Sequence, residues 1–463
     1  MVSRSSRGAG KREAAGRRSR RVVLAVGLAG AGAGALGACA PQAQEQGGGD
    51  RGGAPKPVTL VFNHRTGQPQ GDLFKSHFNA RFQEQFPHIT VDHTVIPSGE
   101  WQEKFIVLYS SDTPGDLIWS NQADQMHLFS AAGMHKALDE FVRRDRYDLG
   151  QFYAKTIEDN RWEGKLYGLP WQSHAGLSGL YVNVDLARQH GVALPASGAR
   201  WTNEQFAEAA RKLTREADGI WGTFVDTPPQ LWQNAAYSYG ATVLSADGTK
   251  HALTDPKLIA ALEWMADLIR RQRVAPATQE RSGSHSVNLA QKKVAMVTAG
   301  AWEIPTIDRA VQGAFPWAVL PVPEGPAGAW SGYSANDNWS IPAISKNPDA
   351  AWTYAKWFCE DQQLGDWLRL WGGNPTAKPK LNGTQYVSGE YAAYRKAHLD
   401  QLQSGTYRVS PTPKNQRQSE LINQLLQPKL AQVWRGEKPV RAALQELEAP
   451  VSALLGESLA VTR

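Results

Sequence analysis

Hydrophobic and polar positions along residues 57–120 alternate between the period of a strand and the period of a helix. Short aliphatic and aromatic runs predict strands over 58–62, 89–91 and 116–119. The intervening segments predict two helices, the first marked by Phe74, Phe78 and Phe82 and the second covering 101–108. Strands that alternate with helices are typical of a parallel sheet covered on both faces, so the fold class is predicted to be α/β.

Helix start signals dominate the second half of the chain. Thr202 and Gln205 have the spacing of a capping box, and Trp201 and Phe206 have that of a hydrophobic staple. Asp-Pro and Asn-Pro pairs at 255–256 and 347–348 predict the starts of two more helices. The residues predicted to face the core in these two helices are Leu258, Ala261, Leu262, Met265, Leu268, Ile269, Ala351, Tyr354, Ala355 and Phe358.

The first 38 residues have the composition of an export signal. An Arg-rich head precedes an apolar stretch, 22–35, that is shorter than the roughly 20 residues a membrane span needs. Leu36-Gly37-Ala38-Cys39 resembles a bacterial lipobox, which implies cleavage before Cys39 and a lipid on its sulfur. Residues 19–24 resemble a twin-arginine motif, with general secretion as the alternative. Residues 39–56, rich in Gly and Gln, are predicted to be a flexible tether.

Charge and cysteine content restrict the possible partners. The whole chain carries +6 and residues 1–38 carry +7, so residues 39–463 carry about −1. Such a body does not favour nucleic acid as a partner. Apart from Cys39 the only cysteine is Cys359, which excludes an intrachain disulfide and predicts a small buried residue. The body of about 425 residues is long enough for two domains. We expect a monomer without a metal or cofactor.

Tryptophan is unusually frequent, with 17 Trp against 13 Tyr and 13 Phe. A hydrophobic core does not require this preference for indole. The C–H face of a sugar ring packs well on an indole, so the composition favours a carbohydrate ligand.

Seven segments have the order and spacing of one known family. They cover residues 86–91, 113–118, 133–141, 164–170, 180–186, 292–302 and 344–352. Together they resemble family 1 extracellular solute-binding proteins, the sugar-capturing lipoproteins of ABC importers, which are related to maltose-binding protein. The resemblance covers residues 57–380, and the last eighty residues match only as generic helices.

The resemblance implies a type II periplasmic-binding-protein fold, in which two hinge-linked α/β lobes enclose a central cleft. Lobe 1 would comprise 57–171 and 338–380, and lobe 2 would comprise 172–333 and 385–463. The implied function is to capture a mono- or oligosaccharide in the cleft and deliver it to the permease subunits in the membrane. The protein would work outside the cytoplasm, anchored by Cys39 to the outer face of the cell membrane.

Ligand contacts are expected from loops at the carboxyl ends of strands. The candidate ligand-binding residues are His64, Arg65, Trp119, Asn121, Gln122, Trp171, His174, Trp232, Trp302, Glu303, Tyr333, Asp337, Asn338 and Trp371. Trp302 is the first choice because it follows a predicted strand over 294–298, at a place where the resemblance implies a stacking Trp. The tryptophans could instead pack in a core, His174 could be satisfied by backbone, and Arg65 could be a solvated surface residue.

Two other classes of function stay open. The same fold could bind a glycerol-phosphate ester, a polyamine or a metal, and Asp337 and Glu303 leave an amine possible. An exported carbohydrate-active enzyme would also be rich in Trp, but it would need two suitably spaced carboxylates. The sequence contains neither a nucleophile elbow nor an HExxH motif. We therefore expect a binding protein without catalytic activity.

Overall fold

A computed structural model describes residues 55–65, 70–97, 100–121, 126–173, 178–196, 199–225, 229–245, 247–277, 285–328, 336–403 and 415–456. The predicted signal, Cys39, most of the tether, Gln122, His174 and Tyr333 lie outside these ranges.

Two sheets form the framework of the described body. The strands are β1 Val58–Arg65, β2 Ile89–Ile96, β3 Leu117–Asn121, β4 Arg161–Trp162, β5 Lys165–Leu166, β6 Leu169–Ser173, β7 Ser178–Asn183, β8 Met296–Gly300, β9 Trp317–Pro321 and β10 Asn336–Ser340. The first sheet has the order β2-β1-β3-β10-β6, and the second has the order β8-β7-β9. Strands β4 and β5 pair as a separate hairpin.

The predicted parallel pairing is confirmed for β1 with β2 and for β1 with β3. It fails for β10, which is antiparallel to both β3 and β6, because the chain returns from the second sheet in the opposite direction. In the second sheet, β7 is antiparallel to both of its neighbours. The first sheet is therefore mixed rather than parallel throughout.

Helices surround both sheets. They are α1 Gln70–Leu73, α2 Ala80–Gln85, α3 Trp101–Ser110, α4 His127–Ala131, α5 Asp139–Asp145, α6 Ala154–Asp159, α7 Val184–Gln189, α8 Asn203–Leu213, α9 Pro229–Ser238, α10 Pro256–Arg270, α11 His285–Ala290, α12 Ile304–Val311, α13 Pro348–Phe358, α14 Asp361–Leu370, α15 Pro379–Leu381, α16 Ala392–Gln403, α17 Gln418–Glu420, α18 Gln427–Trp434, α19 Val440–Gln445 and α20 Glu448–Leu455. Wider π-helical turns cover Phe74–Asn79, Asn382–Tyr386 and Leu421–Leu426.

Local sequence signals predicted most helix starts correctly. The Thr202–Gln205 capping box forms reciprocally at the start of α8, and Asp255 caps α10. The predicted stripes of α10 and α13 are buried. Asn347 precedes α13 but does not cap it, because its amide donates to Asp116 Oδ2 at 3.1 Å instead.

Each sheet has its own hydrophobic core. The first sheet packs with the chain from α13 to Tyr386 in a core that is rich in Trp and Phe. Two cores cover the second sheet, and the larger one also contains the helices of residues 418–455. We call the first sheet with its core the first half and the second sheet with its cores the second half. The lobe limits predicted from sequence stay a prediction, although β6 extends the first sheet to Ser173 and β10 resumes it at Asn336.

Several groups that could ionise are buried in these cores. Cys359 is fully buried, as predicted, and burial raises the pKa of its thiol. Three of the histidines in the interior are His64, His135 and His398, and we call these three the buried histidines. Burial lowers the pKa of each of them to about 3, and the neighbouring His93 adds to the effect at His64. All three imidazoles are therefore neutral at physiological pH.

Candidate functional site

Trp302 lies immediately beyond the end of a strand of the second sheet. Strand β8 ends at Gly300, a single 3₁₀ turn covers Ala301–Glu303, and helix α12 follows with Pro305 in its first turn. The indole folds back over its own strand, since a Cβ on Gly300 would lie 2.0 Å from Cζ3 of Trp302. Trp302 is only half-buried, in contrast to most tryptophans of this chain. It therefore retains exposed surface at the place where sequence predicted a ligand contact.

A turn of the first half approaches the backbone of Trp302. Residues 371–374 follow α14, and a Cβ on Gly373 would lie 2.7 Å from Cα of Trp302 and 3.2 Å from Nε1 of Trp371. The hydroxyl of Tyr386 donates to the carbonyl oxygen of Gly373 at 3.1 Å. The structure thus brings Trp302 and the turn that carries Trp371 together across the two halves.

Trp371 itself offers little open surface. Its exposed fraction is 6 %. The guanidinium of Arg309 lies over the indole, 5.1 Å from the ring centroid. The ring also packs at 6.5 Å from Trp367 in the first core. Trp371 is therefore enclosed by Arg309 and Trp367 and is not the open stacking surface that was predicted.

Glu303 places a carboxylate beside Trp302. It is half-buried, and its Oε2 atom is buried without a hydrogen-bond partner among the described residues. The nearby Tyr181 hydroxyl donates to the carbonyl oxygen of Gly300 at 2.8 Å. Burial, and then the charges of Tyr386 and Glu303, raise the pKa of Tyr181, so its phenol stays neutral. Glu303 retains one oxygen that could accept a hydrogen bond from a ligand.

The carboxyl edge of the first sheet carries a second carboxylate, Asp337. Its oxygens already accept hydrogen bonds from neighbouring side chains. Asp337 is almost fully buried and accepts hydrogen bonds from Asn121 Nδ2 at 2.9 Å and Gln172 Nε2 at 2.7 Å. The other amide atom of Gln172 accepts from Trp367 Nε1 at 2.8 Å. Two neutral amides thus donate to both oxygens of this buried carboxyl group, as its desolvation requires. Sequence predicted Asp337 and Asn121 as separate ligand contacts, whereas in the structure they hydrogen-bond to each other.

Three predicted stacking residues pack in the cores instead. Trp119 is 5 % exposed, and Trp171 and Trp232 are fully buried. Trp171 lies parallel to Trp339 at 5.3 Å between ring centroids, and Trp119 meets Trp171 edge-on at 5.0 Å. Their indoles point to the core side because burial of an aromatic ring against other rings is favourable in itself. None of the three presents a face to a ligand in this conformation.

His64 and Asn338 are also interior residues. His64 is fully buried and stacks on His93 at 4.6 Å between ring centroids. Asn338 is fully buried, and its Oδ1 accepts from the hydroxyls of Ser120 and Ser340. Arg65 is half-buried at the end of β1. The two interior residues support the sheet rather than line an open cleft.

Sequence reasoning missed the parts that hold the site in place. Gly373 and Tyr386, together with Arg395, fix the turn at 371–374. The Gly-Gly pair after Trp371 was a usable signal, because the absence of a side chain permits the close approach to Trp302. Tyr386 and Arg395 carried no local signal, since their partners become neighbours only in the folded chain.

Metal binding and membrane insertion have no support within the described ranges. No three His, Cys, Asp or Glu side chains cluster there so as to hold a metal ion. No helix in those ranges is both long enough and apolar enough to cross a membrane.

Two α/β halves that meet at a half-exposed tryptophan define a two-lobed solute-binding protein. Residues 66–363 match the model of the family described as bacterial extracellular solute-binding protein, and the chain belongs to this family. A binding protein of Brucella abortus is 25 % identical over 315 residues, which cover 66 % of this chain and 73 % of the relative. A lipoprotein of Streptomyces antibioticus is 23 % identical over 376 residues, which cover 76 % of this chain and 77 % of the relative.

Solved structures share the fold at low sequence identity. An ABC substrate-binding protein of Listeria monocytogenes in complex with cycloalternan aligns with a TM-score of 0.78 and 18 % identity, covering 87 % of this chain and all of the other. The GacH receptor of Streptomyces glaucescens, solved without ligand and with acarbose, aligns with a TM-score of 0.73 and 19 % identity, covering 88 % of this chain and all of the other.

Proposed function

We propose that this protein captures a carbohydrate between its two halves and delivers it to the permease of an ABC importer. The observation that carries the proposal is Trp302, an indole that is only half-buried and lies at the meeting point of both halves. An indole face packs on the C–H face of a sugar ring, and Glu303 beside it can accept from hydroxyls. The carbohydrates bound by relatives of the same fold, cycloalternan and acarbose, support this ligand class.

The lipid anchor belongs to the same proposal. Leu36-Gly37-Ala38-Cys39 would be cut before Cys39, and the lipid on its sulfur would keep the protein at the outer face of the membrane. The lipoprotein name of the Streptomyces antibioticus relative supports this. Replacing Cys39 by Ala should move the protein from the membrane fraction to the medium, whereas retention of the variant on membranes would contradict the anchor.

One observation favours a cationic ligand as a second candidate. The buried Oε2 of Glu303 lacks a hydrogen-bond partner among the described residues, and a ligand amine would compensate its charge. An amino sugar would satisfy both this carboxylate and the indole of Trp302. Polyamines would use the carboxylate alone.

Thermal melts of residues 40–463 against a ligand panel test the proposal. The panel contains mono- and oligosaccharides, amino sugars, spermidine and glycerol 3-phosphate. A ligand at about 100 times its Kd should stabilise the protein by about 2.7 kcal/mol. Binding of spermidine or glycerol 3-phosphate with no response to any saccharide would overturn the carbohydrate assignment, and turnover of a saccharide would overturn the binding role.

Trp302→Ala supplies the residue-level test. We expect it to abolish the ligand-induced shift and to change the unliganded melt little, because Trp302 is not part of the hydrophobic cores of the described residues, whereas Trp264 packs against one of them. The matched control is Trp264→Ala, since Trp264 is also half-buried but packs near Phe206, with 6.3 Å between ring centroids, on the second half. The control should lower the melt and keep the ligand-induced shift. The opposite pattern would place Trp302 in the core.

A further inference from the structure

Arg395 is a buried cation on a helix of the second half. Its exposed fraction is 3 %. Helix α16, which carries it, packs on the second sheet: Tyr394 stacks on Trp317 at 3.7 Å, and His398 Nε2 lies 3.3 Å from the Tyr181 hydroxyl. The helix is thus attached to the second sheet on both sides of Arg395.

The guanidinium, however, extends into the first half. Its Nε donates to the carbonyl oxygen of Gly372 at 2.7 Å, and Nη2 donates to that of Leu368 at 3.1 Å. Its Nη1 lies within 3.4 Å of the carbonyl oxygens of Tyr386 and Ser388. These acceptors lie at the end of α14, in the turn that follows it and in the segment just before α16.

Arg395 forms no ion pair with the residues that the structure describes. No carboxylate among the described residues lies within salt-bridge distance of it. Burial lowers the pKa of the guanidinium, but arginine stays charged at any ordinary pH. The carbonyl oxygens at the carboxyl end of α14 carry partial negative charge, which stabilises a cation placed there. The contact therefore depends on geometry, with several N–H donors aimed at fixed acceptors.

The turn is shaped to receive this side chain. Gly372 has a φ of +66°, and a Cβ on it would lie 1.6 Å from Nη2 of Arg395. The next residue, Gly373, touches Cα of Trp302, and its carbonyl oxygen accepts from the hydroxyl of Tyr386. Arg395 and Tyr386 together determine where the turn meets Trp302.

We propose that Arg395 is a positioning residue of the binding site, which holds the turn at 371–374 against Trp302 and thereby sets ligand affinity. This inference rests on the proposed function, because affinity has meaning only if the site beside Trp302 binds a ligand. A planar guanidinium can donate to separated carbonyls at the same time, whereas an ammonium group cannot reproduce that fork. A positive charge at position 395 is therefore not enough to hold the turn; the planar guanidinium is needed.

The test compares Arg395→Lys with the wild type in two measurements. Hydrogen exchange of the amides at 371–374 reports the order of the turn without any ligand. Titration with the saccharide that gives the largest melting shift reports affinity, at a temperature where circular dichroism shows both proteins folded. Arg215→Lys is the matched control, since Arg215 donates to the carbonyl oxygen of Thr214 at 2.7 Å in the loop after α8.

We expect Arg395→Lys to speed exchange of the turn amides and to weaken binding, each by at least about tenfold. The control should change neither. If Arg395→Lys does not fold, Tyr386→Phe removes only the hydroxyl that donates to Gly373, and it should shift both measurements in the same direction.

Two results would overturn the inference: unchanged exchange of the turn in the folded variant, or faster exchange with wild-type affinity. If the wild type binds no saccharide, the proposed carbohydrate function fails. Exchange of the turn amides then still decides whether Arg395 orders the turn, because that measurement needs no ligand.

Discussion

Replacing Gly373 by Ala would insert one methyl group where the two halves touch. The new Cβ would lie 2.7 Å from Cα of Trp302, whereas carbon atoms in favourable contact lie about 3.5–4.0 Å apart. Gly373 does not have a positive φ, so alanine is compatible with its backbone and the whole effect is steric. The turn must therefore retreat from Trp302 by about 1 Å, at a cost of about 1–3 kcal/mol.

The cost should appear in ligand binding as well as in stability. If the closed arrangement of the halves binds the ligand, the methyl group opposes closure, and 1–3 kcal/mol corresponds to roughly a five- to 150-fold loss of affinity. Urea unfolding measures the change in the free energy of unfolding, and titration with the panel's best saccharide measures the change in affinity.

Gly383→Ala is the control for this experiment. A Cβ on Gly383 would meet nothing within 4 Å, and the residue also lacks a positive φ. Its replacement should leave affinity unchanged and stabilise the protein by about 0.4–1 kcal/mol, through the unfolded chain. If Gly373→Ala were as stable as the wild type and bound as tightly, the close approach of the turn to Trp302 would be refuted.

Two further predictions concern acid stability and contact between the halves. The buried histidines have a pKa of about 3 in the folded protein and 6.5 when unfolded, so stability is full above pH 6.5 and is lost as the pH falls toward 3. Urea unfolding should show a loss of about 2 kcal/mol per buried histidine between pH 7 and pH 5, and a flat profile would contradict their burial. The hydroxyl of Ser419 donates to Gln102 Oε1 at 3.1 Å across the two halves, so Gln102→Ala should weaken saccharide binding several-fold in a titration. Equal affinity would show that this contact does not contribute to ligand binding.

The sequence predicted the elements of the fold better than the residues of the site. The stripes of α10 and α13 were found because one physical cause, burial of an apolar face, produces both the pattern and the structure. A tryptophan in the sequence does not by itself indicate a ligand contact. An indole packs as favourably in a hydrophobic core as it does against a sugar ring. That is why Trp119 and Trp171, which the structure buries in the core, were predicted as ligand contacts, whereas the role predicted for Trp302 stays a prediction.

Contacts between segments that are distant along the chain could not be predicted from sequence patterns. Arg395 meets Gly372 at a separation of 23 residues, through a turn whose path depends on both halves. Nothing in the sequence around either residue encodes that contact. The antiparallel direction of β10 was missed for a similar reason, because it depends on how the chain returns from the second sheet.

The insertion of β10 between β3 and β6 has a consequence for biosynthesis. Strands β3 and β6 are complete at residue 173, yet their shared neighbour emerges from the ribosome only after residue 340 has been added. Until then both have an unpaired edge, which invites aggregation. A chain shortened before residue 336 should consequently accumulate as insoluble material. A translocase that accepts only folded cargo, as the twin-arginine route does, would have to wait for nearly three quarters of the polypeptide before the first sheet could close.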